Sequence, residues 1–402
     1  MVKALLVLFL CYLPFTLLAQ DVIQTAKYVD TTGQTDLIDL GRSLFSIKGK
    51  RMKNKEGKNI YFSFLPISSA VPGGGKALIT STTAGFYLGP RDSTFLSSAT
   101  FAPYFNFNGR FGIPLRSSLW LKNNGWNIQG DTRFLVYPQY TWGLGGNQSE
   151  DNKILVNYKY IRFNQAALKR VTNFLYAGIG YDLDYHIDIS AEETNRIRSF
   201  TGYQYGAAND NNSFSSGATL NLLYDTRNNP FNPMPGCYLN VVYRYNSRML
   251  GSQDSWKSLY VDARKYISLS NERKKNVLAL WGYYWTTLNA GTPYLDLPSV
   301  GWDPYNRSGR GMDQNRYRGQ GLIYLETEYR RDITRNGLFG YVLFASATSV
   351  TEAAGRNFKY INPAAGAGLR IKFNKGSDTN IAIDYGFSKG YNTFILSLGE
   401  TF

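Results

Sequence analysis

The only histidine of the 402-residue chain, His186, lies in YDLDYHIDIS with Asp182, Asp184 and Asp188 at two-residue spacing. On an extended strand these four side chains share one face. Such a set could hold a hard cation through carboxylate oxygens or pair a base with an acid; an alternating acidic strand in a wet interior also accounts for it without any ligand. The GGGK run at Gly73–Lys76 is not a phosphate loop, because Ala70 stands where the motif needs its first glycine and Ala77 where it needs Ser or Thr. There is no G-x-S-x-G elbow and no metal-spaced cysteine pair. The residues therefore point to no enzyme, no cofactor and no metal site.

The elements that carry these residues are strands of an exported protein. Residues 1–19 combine Lys3, an apolar run from Ala4 to Leu18 and a small residue at Ala19, the pattern of a secretory signal peptide. Its removal leaves Cys237 as the single cysteine, so no intramolecular disulfide is expected. Residues 20–58 form a short polar segment, too small for a domain, in which Asp36–Ile47 could make one amphipathic helix on the periplasmic side. It ends in KGKRMKNKEGK, Lys48–Lys58.

From residue 59 to 402 the apolar pattern has period two. Strands are expected at Ile60–Ser68, Lys76–Leu88, Thr94–Phe105, Arg110–Lys122, Trp126–Tyr137, Ile154–Phe163, Asn173–Ile187 and Phe214–Thr226. Eight more follow at Cys237–Tyr245, Trp256–Leu269, Asn276–Leu288, Gly321–Ile333, Leu338–Val350, Ala364–Phe373, Asn380–Phe387 and Thr393–Phe402. Tyr (31), Phe (24) and Trp (7) are abundant, and mean hydropathy is −0.30. A transmembrane β-barrel reconciles the two, because lumen-facing polar residues alternate with lipid-facing ones and aromatics girdle the interfaces.

The reading is thus all-β: a 16-stranded antiparallel transmembrane barrel in the bacterial outer membrane. Long connections follow odd-numbered strands and face outward; tight turns face the periplasm. The longest, Gly291–Gln320, joins strands 11 and 12 and is too long for an ordinary hairpin, so it is expected to fold into the lumen. In the last strand, Phe394, Leu396, Leu398 and Phe402 should face lipid, with Glu400 interrupting them. The formal net charge of +15 suits lipid head groups or an acidic periplasmic protein; an exported chain is not expected to meet nucleic acid.

Two stretches, DTRNNPFNPMPGCYLNVVY (Asp225–Tyr243) and GAGLRIKFNKGSDTNIAIDYGFSKGYNTFILSLGETF at the end of the chain, resemble the bacterial surface-antigen superfamily, the BamA/TamA-type outer-membrane assembly and translocation proteins. The resemblance covers roughly Asn59–Phe402. It implies that Arg310 and Gly311 form the tip of the inward loop, with Met312 where the family usually has an aromatic. It further implies that Arg310 meets acids on the next inner strands. YLETEYR supplies Glu326 and Glu328, whereas Ser346 stands where a second acid is expected. Phe402 resembles the terminal aromatic by which barrels are recognised for insertion, and Pro66 would weaken pairing at the seam between the first and last strands.

Family members that insert or translocate proteins carry periplasmic POTRA domains, which residues 20–58 cannot hold. The resemblance therefore implies a POTRA-less biogenesis or transport component that works with periplasmic or outer-membrane protein partners. Two alternatives stay open: a transport pore gated by the loop, and a structural anchor subunit of an outer-membrane complex.

Overall fold

The computed structural model describes residues 33–45, 60–70, 76–106, 109–191, 211–270 and 275–402. The signal-peptide reading (1–19), the lysine run (48–58) and Gly73–Gly75 lie outside them. Among the described residues, one α-helix, α1 (Leu37–Leu44), precedes the sheet. No helix among the described residues is long and apolar enough to cross a membrane, which says nothing of strands.

Among the described residues the strands form one antiparallel sheet of eighteen segments. They are β1 (Ile60–Ala70), β2 (Lys76–Phe86), β3 (Ser97–Phe101), β4 (Tyr104–Phe105), β5 (Phe111–Trp120) and β6 (Trp126–Val136). Next come β7 (Gln139–Thr141), β8 (Ile154–Thr172), β9 (Leu175–Ala191), β10 (Ser213–Asp225), β11 (Gly236–Asn246) and β12 (Trp256–Ser268). The chain closes with β13 (Asn276–Thr287), β14 (Gly321–Asp332), β15 (Phe339–Val350), β16 (Asn362–Asn374), β17 (Thr379–Ser388) and β18 (Tyr391–Leu398).

Each strand pairs with its neighbours in sequence. Both β3 and β4 lie between β2 and β5, with Ala102 and Pro103 interrupting them. Likewise β6 and β7 both pair with β8, separated by Tyr137 and Pro138. Proline lacks the ladder donor, so each break falls where the sequence removes one.

Side-chain alternation makes the two faces different. Along β14, Leu322, Tyr324, Glu326, Glu328 and Arg330 are buried, while Leu325 and Thr327 point outward. On the outer face Phe62, Phe64, Phe134, Ile179, Leu220, Leu343 and Phe394 stand exposed, an arrangement suited to lipid and costly in water. Inside, Tyr260, Tyr266, Trp281, Tyr283, Tyr324 and Phe402 form one aromatic cluster, and Leu135, Tyr158, Tyr160, Leu297 and Trp302 belong to a second.

Three expectations need correction. First, β8 and β9 extend beyond Phe163 and Ile187: Asn164–Lys169 pairs with Trp126–Asp131 on one side and Asn164–Thr172 with Leu175–Asp182 on the other, with one register shift after Arg170, despite losing apolar alternation, and Ser190 and Ala191 pair with Asn157 and Val156. Second, Asp188 does not share the face of Asp182, Asp184 and His186. A register shift between Asn157 and Lys159 and a left-handed backbone (φ 55) turn its side chain out to Lys159, at 2.5 Å. Third, the last strand stops at Leu398. Gly399 has φ +82, which an L-residue adopts at a cost, and it turns Glu400, Thr401 and Phe402 into the lumen. Glu400 and Phe402 therefore face the interior and not lipid. The reason is electrostatic: Glu400 accepts from Arg370 Nε (2.7 Å) and Asn380 Nδ2 (2.8 Å), partners that hydrocarbon cannot offer.

Candidate functional site

The lumenal site is built by the segment between β13 and β14, residues 288–320. Its base is fastened by Arg318, whose Nη1 donates to Tyr294 O (2.7 Å) and whose Nη2 donates to Asn315 Oδ1 (3.0 Å). Within the loop Val300 N donates to Tyr317 O, and Asn315 N to Val300 O. Asp303 shapes the next turn: its carboxylate accepts from the backbone N–H groups of Tyr305, Arg307 and Ser308 and from Ser308 Oγ at 2.6 Å. A short polar side chain that accepts from several successive amides is a local substitute for backbone pairing.

From this turn the loop reaches two walls. Toward β5 and β6, Arg116 donates to Tyr305 O and Asn306 Oδ1, and Arg133 to Pro304 O and Asn306 Oδ1, at 2.8–2.9 Å. Toward the end of the chain, Arg307 donates to the carbonyl oxygens of Leu398, Glu400 and Thr401. One arginine thus holds the segment that leaves β18.

Three residues further on, Arg310 is almost fully buried and meets three carboxylates. Its Nη2 pairs with Glu326 and with Glu328, and its Nη1 donates to Asp384 Oδ2 at 2.7 Å. Its guanidinium lies 3.7 Å from the centroid of Phe344. Further cations divide the acids between them: Arg330 Nε is 2.6 Å from Glu328, and Arg370 Nη1 is 2.5 Å from Asp384. Tyr324 donates its hydroxyl to Glu326. Planar guanidinium forks suit this carboxylate-rich arrangement better than lysine would.

Gly311 fits where no other residue would. Its φ is +84, and a Cβ there would stand 2.4 Å from Phe387 N, against the backbone of Gly386. Met312 is buried in the aromatic cluster. Ser346 points inward with its hydroxyl unpartnered among the described residues, so the third acid comes from β17 and not from β15. Asp384 and Phe344 were missed by sequence reasoning. In IDYGFSKG a signal existed: Ile383, Tyr385 and Phe387 face out, leaving Asp384 as the acid on the inner face between the small residues Ala382 and Gly386.

Elsewhere, Asp184 accepts from Arg162 (2.8 Å) and pairs with Arg244 and Tyr160, so its oxygens are occupied by cations and not free for a metal. His186 is buried against the ring of Tyr160, with centroids 4.5 Å apart, and stands 3.8 Å from Asp296 of the loop. Phe402 packs on Trp281 and Tyr266, and its carbonyl oxygen accepts from Arg330 Nη2 at 2.9 Å. Below the loop, toward the short turns, lies a cavity of about 310 Å³ lined among others by Arg116, Asp131, Arg244, Tyr305, Arg307 and Phe402. At the opposite end the connection after β7 covers the loop: Gly145 N donates to Arg318 O, and Gly146 N to Glu352 Oε1.

The seam is equally distinct. β1 is in register with β2 over all its residues and β18 with β17. Among the described residues no ladder joins β1 to β18, although they touch. Pro66 opposes Thr80 of β2 and is exposed. The start of β1 instead meets the end of β16, where Asn374 Nδ2 donates to Phe62 O at 3.3 Å.

An antiparallel sheet with an apolar outer face and a charged interior is the architecture of an outer-membrane β-barrel. The Omp85 superfamily domain matches residues 93–402, and the chain belongs to that superfamily. It is accordingly an outer-membrane protein of the bacterial type, in a superfamily of assembly and translocation barrels. No curated protein matches the sequence. Among solved structures, BamA from Haemophilus ducreyi lacking POTRA domains 1–3 is similar at 15% identity and TM-score 0.53, covering 85% of this chain and 70% of that one. CdiB from Escherichia coli is similar at 10% identity and TM-score 0.56, covering 85% and 62%. CdiB from Acinetobacter baumannii follows at 11% and 0.53, covering 83% and 56%. At these identities the likeness concerns the fold alone.

Proposed function

We propose that this barrel is a component of outer-membrane protein biogenesis or translocation that acts at the β1–β18 seam, with the loop as its internal latch and with periplasmic or outer-membrane proteins as partners. In this reading β3–β4 and β6–β7 are each one interrupted strand, so that the wall has sixteen. Residues 1–19 are the signal peptide, 20–58 the periplasmic segment and 59–402 the barrel. The observation that carries it is the unladdered seam beside a last strand whose continuation is held by Arg307 of the loop. An unpaired strand edge offers backbone donors and acceptors to an incoming strand. Arg310 with Glu326 and Glu328 keeps the loop in place, Gly311 and Met312 seat its tip, Ser346 leaves room beside Phe344, Pro66 lies in β1 at the seam, and Phe402 ends the continuation of β18 inside the lumen.

The test is a set of disulfides joining β1 to β18 in the full chain, scored by the steady-state level of outer-membrane proteins in cells that depend on it. Locked barrels should lose activity and regain it on reduction. Full activity while oxidised would reject a working seam. The pore alternative has its own support in the loop that fills the lumen; deletion of Ser308–Arg318 should then raise single-channel conductance in planar bilayers.

A further inference from the structure

The helix α1 has an apolar surface that the barrel does not cover. Its N-terminus is built firmly: Asp36 caps Asp39 N at 2.8 Å and Asp39 returns a bond to the Asp36 backbone, a reciprocal capping box. The same two carboxylates tie the helix to the short-turn rim. Asp36 Oδ2 accepts from Lys375 N (2.9 Å), Asp39 pairs with Lys375 Nζ (2.5 Å), and Thr35 N donates to Asn336 O (3.1 Å). With the entry fixed, the helix lies against β16. Yet Leu40, Leu44 and Phe45 remain 37%, 81% and 79% exposed. Leu40 and Leu44 share one face at i, i+4 spacing.

We propose that this face is buried in the periplasmic leaflet of the outer membrane, so that α1 is an interfacial anchor lying along the barrel rim on anionic phospholipid. Two observations select lipid over a protein. The segment that enters the helix is bonded at Thr35 to the hairpin of β14 and β15, whose outward residues at the same rim, Ile333 (53% exposed) and Phe339 (37%), belong to the lipid-facing surface, so the helix starts at an existing lipid boundary. The sequence that follows the helix, Lys48–Lys58, carries six cations and one carboxylate, Glu56. Apolar insertion and a neighbouring basic run are the two signals that together hold a segment on an anionic bilayer, where such helices sit with their apolar face at the head-group boundary.

The experiment uses the full chain, with its native cysteines replaced by alanine, reconstituted into vesicles of phosphatidylethanolamine and phosphatidylglycerol. A bimane label is placed at Leu44→Cys and, as a control, at Arg42→Cys on the solvent side. Lipids spin-labelled near the head group should quench the Leu44 position several-fold more than Arg42, and aqueous iodide the reverse. Equal access of iodide to both positions, with no lipid quenching, overturns the proposal. Protection of Leu44 that arises only when a protein extract of the envelope is added overturns it too, in favour of a protein partner. Leu40→Glu with Leu44→Glu should abolish the lipid quenching of a label at Phe45→Cys while heat-modifiable gel migration shows an intact barrel; unchanged quenching in that variant also counts against lipid seating.

Discussion

Arg310→Ala is the sharpest perturbation of the lumen, because the structure says which of three carboxylates it would strand. Glu328 would keep Arg330 at 2.6 Å, and Asp384 would keep Arg370 at 2.5 Å. Glu326 would keep only the Tyr324 hydroxyl. Removing one partner of a buried ion pair costs about 3–5 kcal/mol, or about two to four powers of ten in the equilibrium that holds the loop in place. Loop release is read by hydrogen exchange over residues 303–318 in detergent micelles. Exchange there should accelerate by that factor while β10–β13 keep their protection. Since Glu326 is the stranded group, Arg310→Ala with Glu326→Gln should recover most of the protection, and Arg310→Ala with Glu328→Gln much less. Equal rescue by both, or unaltered exchange in Arg310→Ala alone, would refute the assignment of charges.

Gly311→Ala should loosen the loop tip by more than the ~1–2 kcal/mol of a left-handed alanine, since its Cβ would also meet Phe387 N at 2.4 Å; limited proteolysis within the loop reads this out. Phe402→Ala removes a ring held between Trp281, Tyr266 and Arg330. A loss of about 3–5 kcal/mol is expected, as for other buried aromatics, seen as a lower temperature of the heat-modifiable gel shift. Arg307→Gln frees the carbonyls of Leu398, Glu400 and Thr401; cysteine labelling at Thr401→Cys should then become fast, whereas Arg307 in place should keep it slow.

Much of the fold was legible because a barrel strand must alternate. Each expected strand range overlaps a segment of the sheet; Pro103 explains why Thr94–Phe105 appears in two pieces, and β7, beyond Pro138, was not expected. Alternation failed at Asn164–Gln165, which pair with Asp182 and Tyr181 across β8 and β9: a polar residue on each face of the strand leaves no apolar signal. The site was partly legible. Glu326 and Glu328 follow from period two, and Arg310–Gly311 from the family pattern. Asp384 was not found because its contact with Arg310 spans 74 residues, and no local spacing encodes that. The turn at Gly399 went unread although Glu400 signalled it: a carboxylate at the end of a lipid-facing run has to find cations, and Arg370 lies inside.

The placement of Arg307 and Arg310 on one short segment ties two parts of the molecule together. Asp303 binds Tyr305, Arg307 and Ser308 into a single turn, and Ser308 Oγ also accepts from Gly301 N and Tyr283 Oη. Displacing the tip from Glu326, Glu328 and Asp384 therefore cannot leave the Arg307 side undisturbed. Withdrawing Leu398–Phe402 from the lumen, in turn, removes the acceptors of Arg307 and takes Glu400 from Arg370, which frees that arginine to compete with Arg310 for Asp384. Coupling of this kind needs no long pathway, since the two contacts share one rigid turn and one carboxylate. Under the proposed seam function, loop position and the end of the last strand should be two readings of one equilibrium: drawing the edge of β18 outward should weaken the hold on the loop.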